Sequence, residues 1–175
     1  TSQFSPYFLT AYNIENLLRR TSLFGVISIG AAFVIMVGGI DLSIGSVIAL
    51  VGCLLPWLLV QHGIDPWIAV PSVLALGLVI GVFQGMLVQR VRLQPFIVTL
   101  CGLLLYRGIA RGITSDRTVG FQNEFKGLRS LVKHRFEIPG VEGFAIPATF
   151  VILLVVAVIA ILFLRTTVWG RHMLA

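Results

Sequence analysis

Five long apolar runs leave this chain few ways to fold in water. Each is about 17 to 22 residues long, the length an α-helix needs to cross a hydrocarbon core roughly 30 Å thick. Of 175 residues, 57% are hydrophobic and 11% charged, and the mean hydropathy is +0.99, outside the range of ordinary soluble domains. The expected fold class is an all-α integral membrane protein, a polytopic helical bundle with about five spans.

Residues 1–20 are too polar to span, yet Ile14, Leu17 and Leu18 recur at helical spacing, which suggests a short interfacial segment. Four spans then fill residues 21–113: Thr21 to Val37, Ser43 to Val60, Trp67 to Val88, and Pro95 to Ile113. Pro95 suits a first helical turn, where no backbone N–H partner is needed. Pro56 and Pro71 fall inside spans and are expected to mark bends. Residues 114–145 form the one sizeable polar loop, in which Phe125, Leu128, Leu131 and Val132 would line one face of a short helix. Pro147 opens a fifth span over residues 146–164, and a basic tail follows over 165–175. The chain opens on Thr1 with no signal-peptide pattern and stops without a terminating signal, so it reads as a piece of a longer protein.

The net charge of +6 sits at span ends and in one loop, without a basic helix or interleaved aromatic residues, which argues against nucleic acid as a partner. Cys53 and Cys101 each lie inside an apolar run and form neither a metal-binding nor a disulfide pattern. The three histidines are isolated, and no phosphate-binding loop or hydrolase motif is present. A catalytic constellation is therefore not expected, nor is a bound metal. Orientation is contested by the charges. The loops at 89–94 and 165–175 share one side with Arg90, Arg92, Arg165 and Arg171, while the other side carries more basic residues, which by the positive-inside rule would put the long loop in the cytoplasm.

The stretch "GGIDLSIG" breaks the apolar pattern. Gly38 and Gly39 are poor helix formers, so a helix can end or unwind there. Asp41 or Ser43 can then cap the next helix by accepting from its free N–H groups. The same atoms suit a translocation pathway, because unwound backbone at membrane depth is tolerated only where protein buries it or water reaches it. Gly77, Gly81 and Gly85 lie four apart on one helix face and suit close helix packing. Gln84 lies beside them and can bond across helices or line a cavity. Arg107 and Arg111, also four apart near a span end, can snorkel to headgroups or meet an acidic docking partner.

In order, "GGIDLSIGSVIAL", "GVFQGMLVQRVRLQPFIVTLCGLLLYRGIARGIT" and "LRTTVWGRHMLA" resemble the permease subunits of bacterial ABC importers for ribose, other monosaccharides and autoinducer-2. The resemblance runs from about Phe8 to the C-terminus and is weakest in the long loop. It implies the first half of a subunit of roughly twice this length, lacking the family's first span and its cytoplasmic coupling segment. It further implies a multi-pass inner (cytoplasmic) membrane location and a second permease subunit, identical or not. A periplasmic solute-binding protein and a separate ATP-binding subunit would complete the system, with ATP bound on that partner and no cofactor on this chain. It places 89–94 and 165–175 in the cytoplasm and 114–145 in the periplasm, against the charge count. Asp41, Ser43 and Gln84 would then lie along the pathway, and Arg107 and Arg111 near the outer face. Two other classes fit the spans: a secondary transporter driven by a proton or sodium gradient, and a non-transport membrane scaffold.

Overall fold

In a computed structural model, residues 10–121, 125, 127, 130, 134–137 and 145–174 are described. Among them are five helices long and apolar enough to cross a membrane. The chain divides into two compact units, one of Thr1–Val37 with Lys126–Ala175 and one of Gly38–Phe125.

The first unit is built on α1 (Ala11–Met36), capped by the Thr10 side chain, which accepts from the Asn13 N–H. Here the structure corrects the expected interfacial segment, because from Ala11 onward it is one uninterrupted helix with the first span. No glycine or proline interrupts residues 11–24, and the one acidic charge in that stretch is compensated. Glu15 is 5% exposed and pairs with Arg19 at 3.0 Å and with Arg135 at 3.1 Å. Arg135 belongs to β1 (Arg135–Glu137), which runs antiparallel to β2 (Ala145–Pro147), with Arg135 opposite Pro147 and Glu137 opposite Ala145. The polar loop thus carries a hairpin that no strand-length pattern announced. Of the helix expected around Phe125, Leu128, Leu131 and Val132, all but Phe125 lie outside the described residues.

Pro147 does not open the last span but caps it, in extended conformation, and α5 (Ala148–Thr166) follows directly. The first N–H of α5 is held by the carbonyl of His134, at 3.0 Å. α1 packs on α5 and on β2: Phe33 meets Phe163 edge to face at 5.9 Å, and the branched end of Leu153 seats over Gly25. No α5 residue is fully buried; the face turned to α1 is half-buried at Leu153, Ala157 and Leu164, and most of the rest is exposed and apolar, as suits a helix in lipid. Thr167 then breaks the helix and caps α6 (Val168–Leu174), its hydroxyl accepting from Gly170 N–H at 2.9 Å.

The second unit packs α2 (Ile44–Pro56), α3 (Pro66–Gln89) and α4 (Pro95–Thr114), with α2 lying against both others. Pro56 ends α2 because it has no N–H to return to the preceding turn. Trp57–Gln61 continue as one turn of π-helix that buries Leu59. Pro71, by contrast, sits inside an unbroken α3. α3 starts sharply: Asp65 accepts from Trp67 N–H at 2.8 Å and Pro66 takes the first helical position. Pro95 does the same for α4, which ends in a left-handed Ser115 whose N–H returns to Arg111. Leu50, Ile80, Tyr106 and Ala110 form the core, flanked by Val47, Leu76 and Ile113.

Candidate functional site

Between the end of α1 and the start of α2 the backbone leaves helical geometry, and Gly38 takes φ +74°, a left-handed conformation that residues with a Cβ rarely adopt. Every polar group that follows needs a partner, because hydrocarbon supplies none. The Ile40 carbonyl accepts from the Thr99 hydroxyl at 3.1 Å, which also leans on Pro95 O of its own helix at 2.9 Å. Asp41 Oδ1 takes both hydrogens that Ser43 can offer, the backbone N–H and the hydroxyl, each at 2.7 Å. Ser43 is fully buried, and its carbonyl accepts from Val47 N–H and from the Ser46 hydroxyl.

This arrangement corrects the cap expected of Ser43. Ser43 precedes α2 with φ −82° and ψ −14° and makes no side-chain bond to the helix end. A capping side chain usually springs from extended backbone. With Ser43 already helical, its hydroxyl points instead toward Asp41 and α3. The cap comes from Asp41, whose carboxylate accepts the Ser43 N–H, the first of the N–H groups that α2 leaves free.

Gln84 closes the cluster from α3, its Nε2 donating to the Ser43 hydroxyl at 3.1 Å. The Ser43 hydroxyl has one hydrogen and two acceptors in view, Asp41 at 2.7 Å and Gln84 Oε1 at 3.4 Å, and the shorter, charge-assisted bond takes it. From α4, buried Tyr106 sets its side chain beside Gln84. Gly102 lets these groups meet: a Cβ there would lie 2.5 Å from Gln84 Nε2, 3.0 Å from Tyr106 Cε2 and 3.4 Å from Ser43 Cβ. Gln84 stands five residues before the end of α3 and Gly102 seven after the start of α4, so the cluster lies about 7–10 Å in from those helix ends at 1.5 Å per residue.

Asp41, Ser43 and Gln84 are therefore brought together, with Gly39 buried and Gly38 forming the turn beside them. The other sequence candidates stand apart. Gly77, Gly81 and Gly85 meet no atom of the described residues within 4 Å of an added Cβ. The face of α3 that packs carries Ala69, Val73 and Ile80, and Gly81, one residue from Ile80, is turned about 100° away. An open groove on α3 is lined by Leu78, Val79, Val82, Phe83 and Met86, all apolar, and includes no member of the polar cluster. Arg107 and Arg111 are exposed on α4, and Arg111 pairs with Asp116 at 3.4 Å. Sequence reasoning missed Thr99, Gly102 and Tyr106. Their spacing of three and four was the available signal, since it stacks them on the one face of α4 that is buried.

Among the described residues no group of three or more histidine, cysteine or acidic side chains is placed to hold a metal ion. Apolar spanning helices interrupted by a polar break, with its backbone satisfied at depth, are the architecture of membrane permeases. The chain belongs to the family described as the branched-chain amino acid transport system / permease component, which it matches over residues 13–175. With five apolar helices it is a multi-pass segment of an inner-membrane permease.

Its relatives include the inner membrane ABC transporter permease protein YjfF of Escherichia coli K12, 34% identical over 171 residues, which cover 97% of this chain and 50% of the relative. The ribose import permease protein RbsC of Haemophilus influenzae is 39% identical over 124 residues, 70% of this chain and 38% of the relative. The xylose transport system permease protein XylH of the same organism is 42% identical over 112 residues, 64% of this chain and 30% of the relative. The chain thus spans half or less of the length of these relatives. No solved structure matches it.

Proposed function

We propose that this chain is part of the permease subunit of an ATP-driven importer that moves a monosaccharide or a related small, uncharged polar solute across the inner membrane. The observation that carries the proposal is the similarity to permeases named for ribose and xylose import, together with the chemistry of the polar cluster. Asp41 and Gln84, its half-buried members, offer carboxylate and amide groups, which exchange hydrogen bonds with sugar hydroxyls. An amino-acid zwitterion would call for a cation beside the carboxylate as well. The cluster's one charged side chain is Asp41.

In this reading the permease does no chemistry on its solute and binds no ATP. An ATP-binding subunit supplies the energy, a periplasmic solute-binding protein delivers the solute, and a second permease subunit completes the pathway. Residues 89–94 and 165–175 face the cytoplasm and residues 114–145 the periplasm, with Arg107 and Arg111 near the outer surface. The Asp41 cluster then lies toward the inner ends of α3 and α4, where its bonds hold the break in one of two arrangements. ATP-driven closure of the partner subunits biases the choice between them. Gly77, Gly81 and Gly85 serve as a packing ridge for a helix outside this chain.

The test is uptake of labelled ribose and xylose by proteoliposomes holding the full-length protein with its co-purifying subunits. Uptake is expected to need ATP and the solute-binding protein and to survive collapse of the proton and sodium gradients. Uptake that needs a gradient and ignores ATP would establish a secondary transporter instead. A stable preparation with no ATP-binding subunit and no uptake would establish a scaffold.

A further inference from the structure

Glu15 is the one acidic side chain among the described residues to be buried, and the polar cluster makes no use of it. Its Oε1 takes two guanidinium groups of different standing. Arg19, one helical turn along α1, stays with Glu15 for as long as the helix exists, whereas Arg135 arrives from the hairpin. Apart from that ion pair, the hairpin rests on α1 through β2, whose Ala145 and Pro147 are buried. We infer that Glu15 and Arg135 form a releasable latch fastening the β1–β2 hairpin to α1.

The asymmetry of the two arginines is what makes the latch reversible. A buried carboxylate stripped of its only cation is strongly destabilising, so a lone Glu15–Arg135 pair would behave as a permanent rivet. With Arg19 in place, departure of Arg135 leaves Glu15 still paired and newly open to water. Arg135 is itself 55% exposed at its side chain, so it regains hydration with little rearrangement. The contact therefore has two tolerable states. Arg135 can leave Glu15 without unfolding the helix beneath the hairpin.

Amide hydrogen exchange on the full-length protein in lipid nanodiscs tests this, read at residues 134–137 and 145–147. Arg135→Gln is expected to speed exchange there about tenfold, the loss anticipated for one hydrogen bond to a charged group, while exchange in α2, α3 and α4 stays at wild-type rates. Arg19→Gln is expected to leave hairpin exchange at or below the wild-type rate, because the cross-element pair survives and becomes the ion pair on which Glu15 depends. Should Arg135→Gln fail to accumulate, Arg135→Met carries the same comparison, since it keeps an unbranched apolar stem and loses every donor. Unchanged hairpin exchange in Arg135→Gln or Arg135→Met would overturn the latch. So would equal acceleration in Arg19→Gln, which would mean that compensation of Glu15 in general, rather than its bond to Arg135, holds the hairpin. The readout does not depend on transport, so failure here and failure of the importer reading are separate results.

Discussion

Replacing Gly102 by alanine tests whether the polar cluster is held by close approach of α4. The new methyl carbon would lie 2.5 Å from Gln84 Nε2 and 3.0 Å from Tyr106 Cε2. The Gln84 amide ends a flexible side chain and can withdraw, but withdrawal gives up its 3.1 Å bond to the Ser43 hydroxyl, worth about 1 kcal/mol. Tyr106 is buried in the core and must also shift, adding about 1 kcal/mol at the low end of overpacking costs. Against both stands the gain in helix propensity from Gly to Ala, about 1 kcal/mol. Gly108→Ala isolates the clash, because it lies in the same helix and its Cβ meets nothing within 4 Å. Reversible unfolding of the full-length protein in a mixed-detergent titration should place Gly102→Ala about 2 kcal/mol below Gly108→Ala. In a Gln84→Ala background Gly102→Ala should cost about half as much, because the hydrogen bond it would break is already absent. Equal stability of the two alanine variants would refute the packing argument, and with it the account of how α3 and α4 grip the break.

Substitutions at two further positions probe the break itself. Gly38→Ala meets no atom within 4 Å but must hold φ near +74°, so a loss of about 1–2 kcal/mol is expected from backbone strain alone. Gly38→Asn should lose less, because asparagine tolerates that region, and the same titration reads both. Asp41→Asn keeps an oxygen to accept both Ser43 bonds, so it should assemble as wild type while slowing proteoliposome uptake. Asp41→Ala leaves the buried Ser43 N–H without its acceptor, and a stability loss of about 1–3 kcal/mol should accompany the uptake defect. Wild-type uptake by Asp41→Asn would remove the Asp41 charge from the pathway.

What could be read in the sequence and what could not divides along the range of the interactions. The spans were legible because length and hydropathy are local quantities and lipid imposes them one helix at a time. Asp41 and Ser43 stood out because a carboxylate between apolar runs is expensive and must be explained nearby. Thr99, Gly102 and Tyr106 did not stand out, since each is unremarkable in an apolar helix and acquires a role only when α2 and α3 arrive beside it. The first ten residues of α1 were assigned to the membrane surface for the same reason. The charge of Glu15 was visible, whereas Arg135, the residue that helps to neutralise it, comes from a three-residue strand far along the chain. The capping role expected of Ser43 failed on a backbone angle, ψ −14°, that no residue type specifies.

The single-residue join between hairpin and α5 has a mechanical consequence. With Pro147 ending β2 and Ala148 beginning the helix, and the first helical N–H tied back to His134, there is no slack in which a displacement can dissipate. α5 runs for 19 residues, about 28 Å of stiff rod. If the hairpin tilts by about 5° and the rod turns with it, the far end at Thr166 swings by about 2.5 Å on that length. Such a swing would reach Thr167 and α6 at the end of the rod, and it would have to part the Phe33 and Phe163 rings that hold this end of α5 to α1.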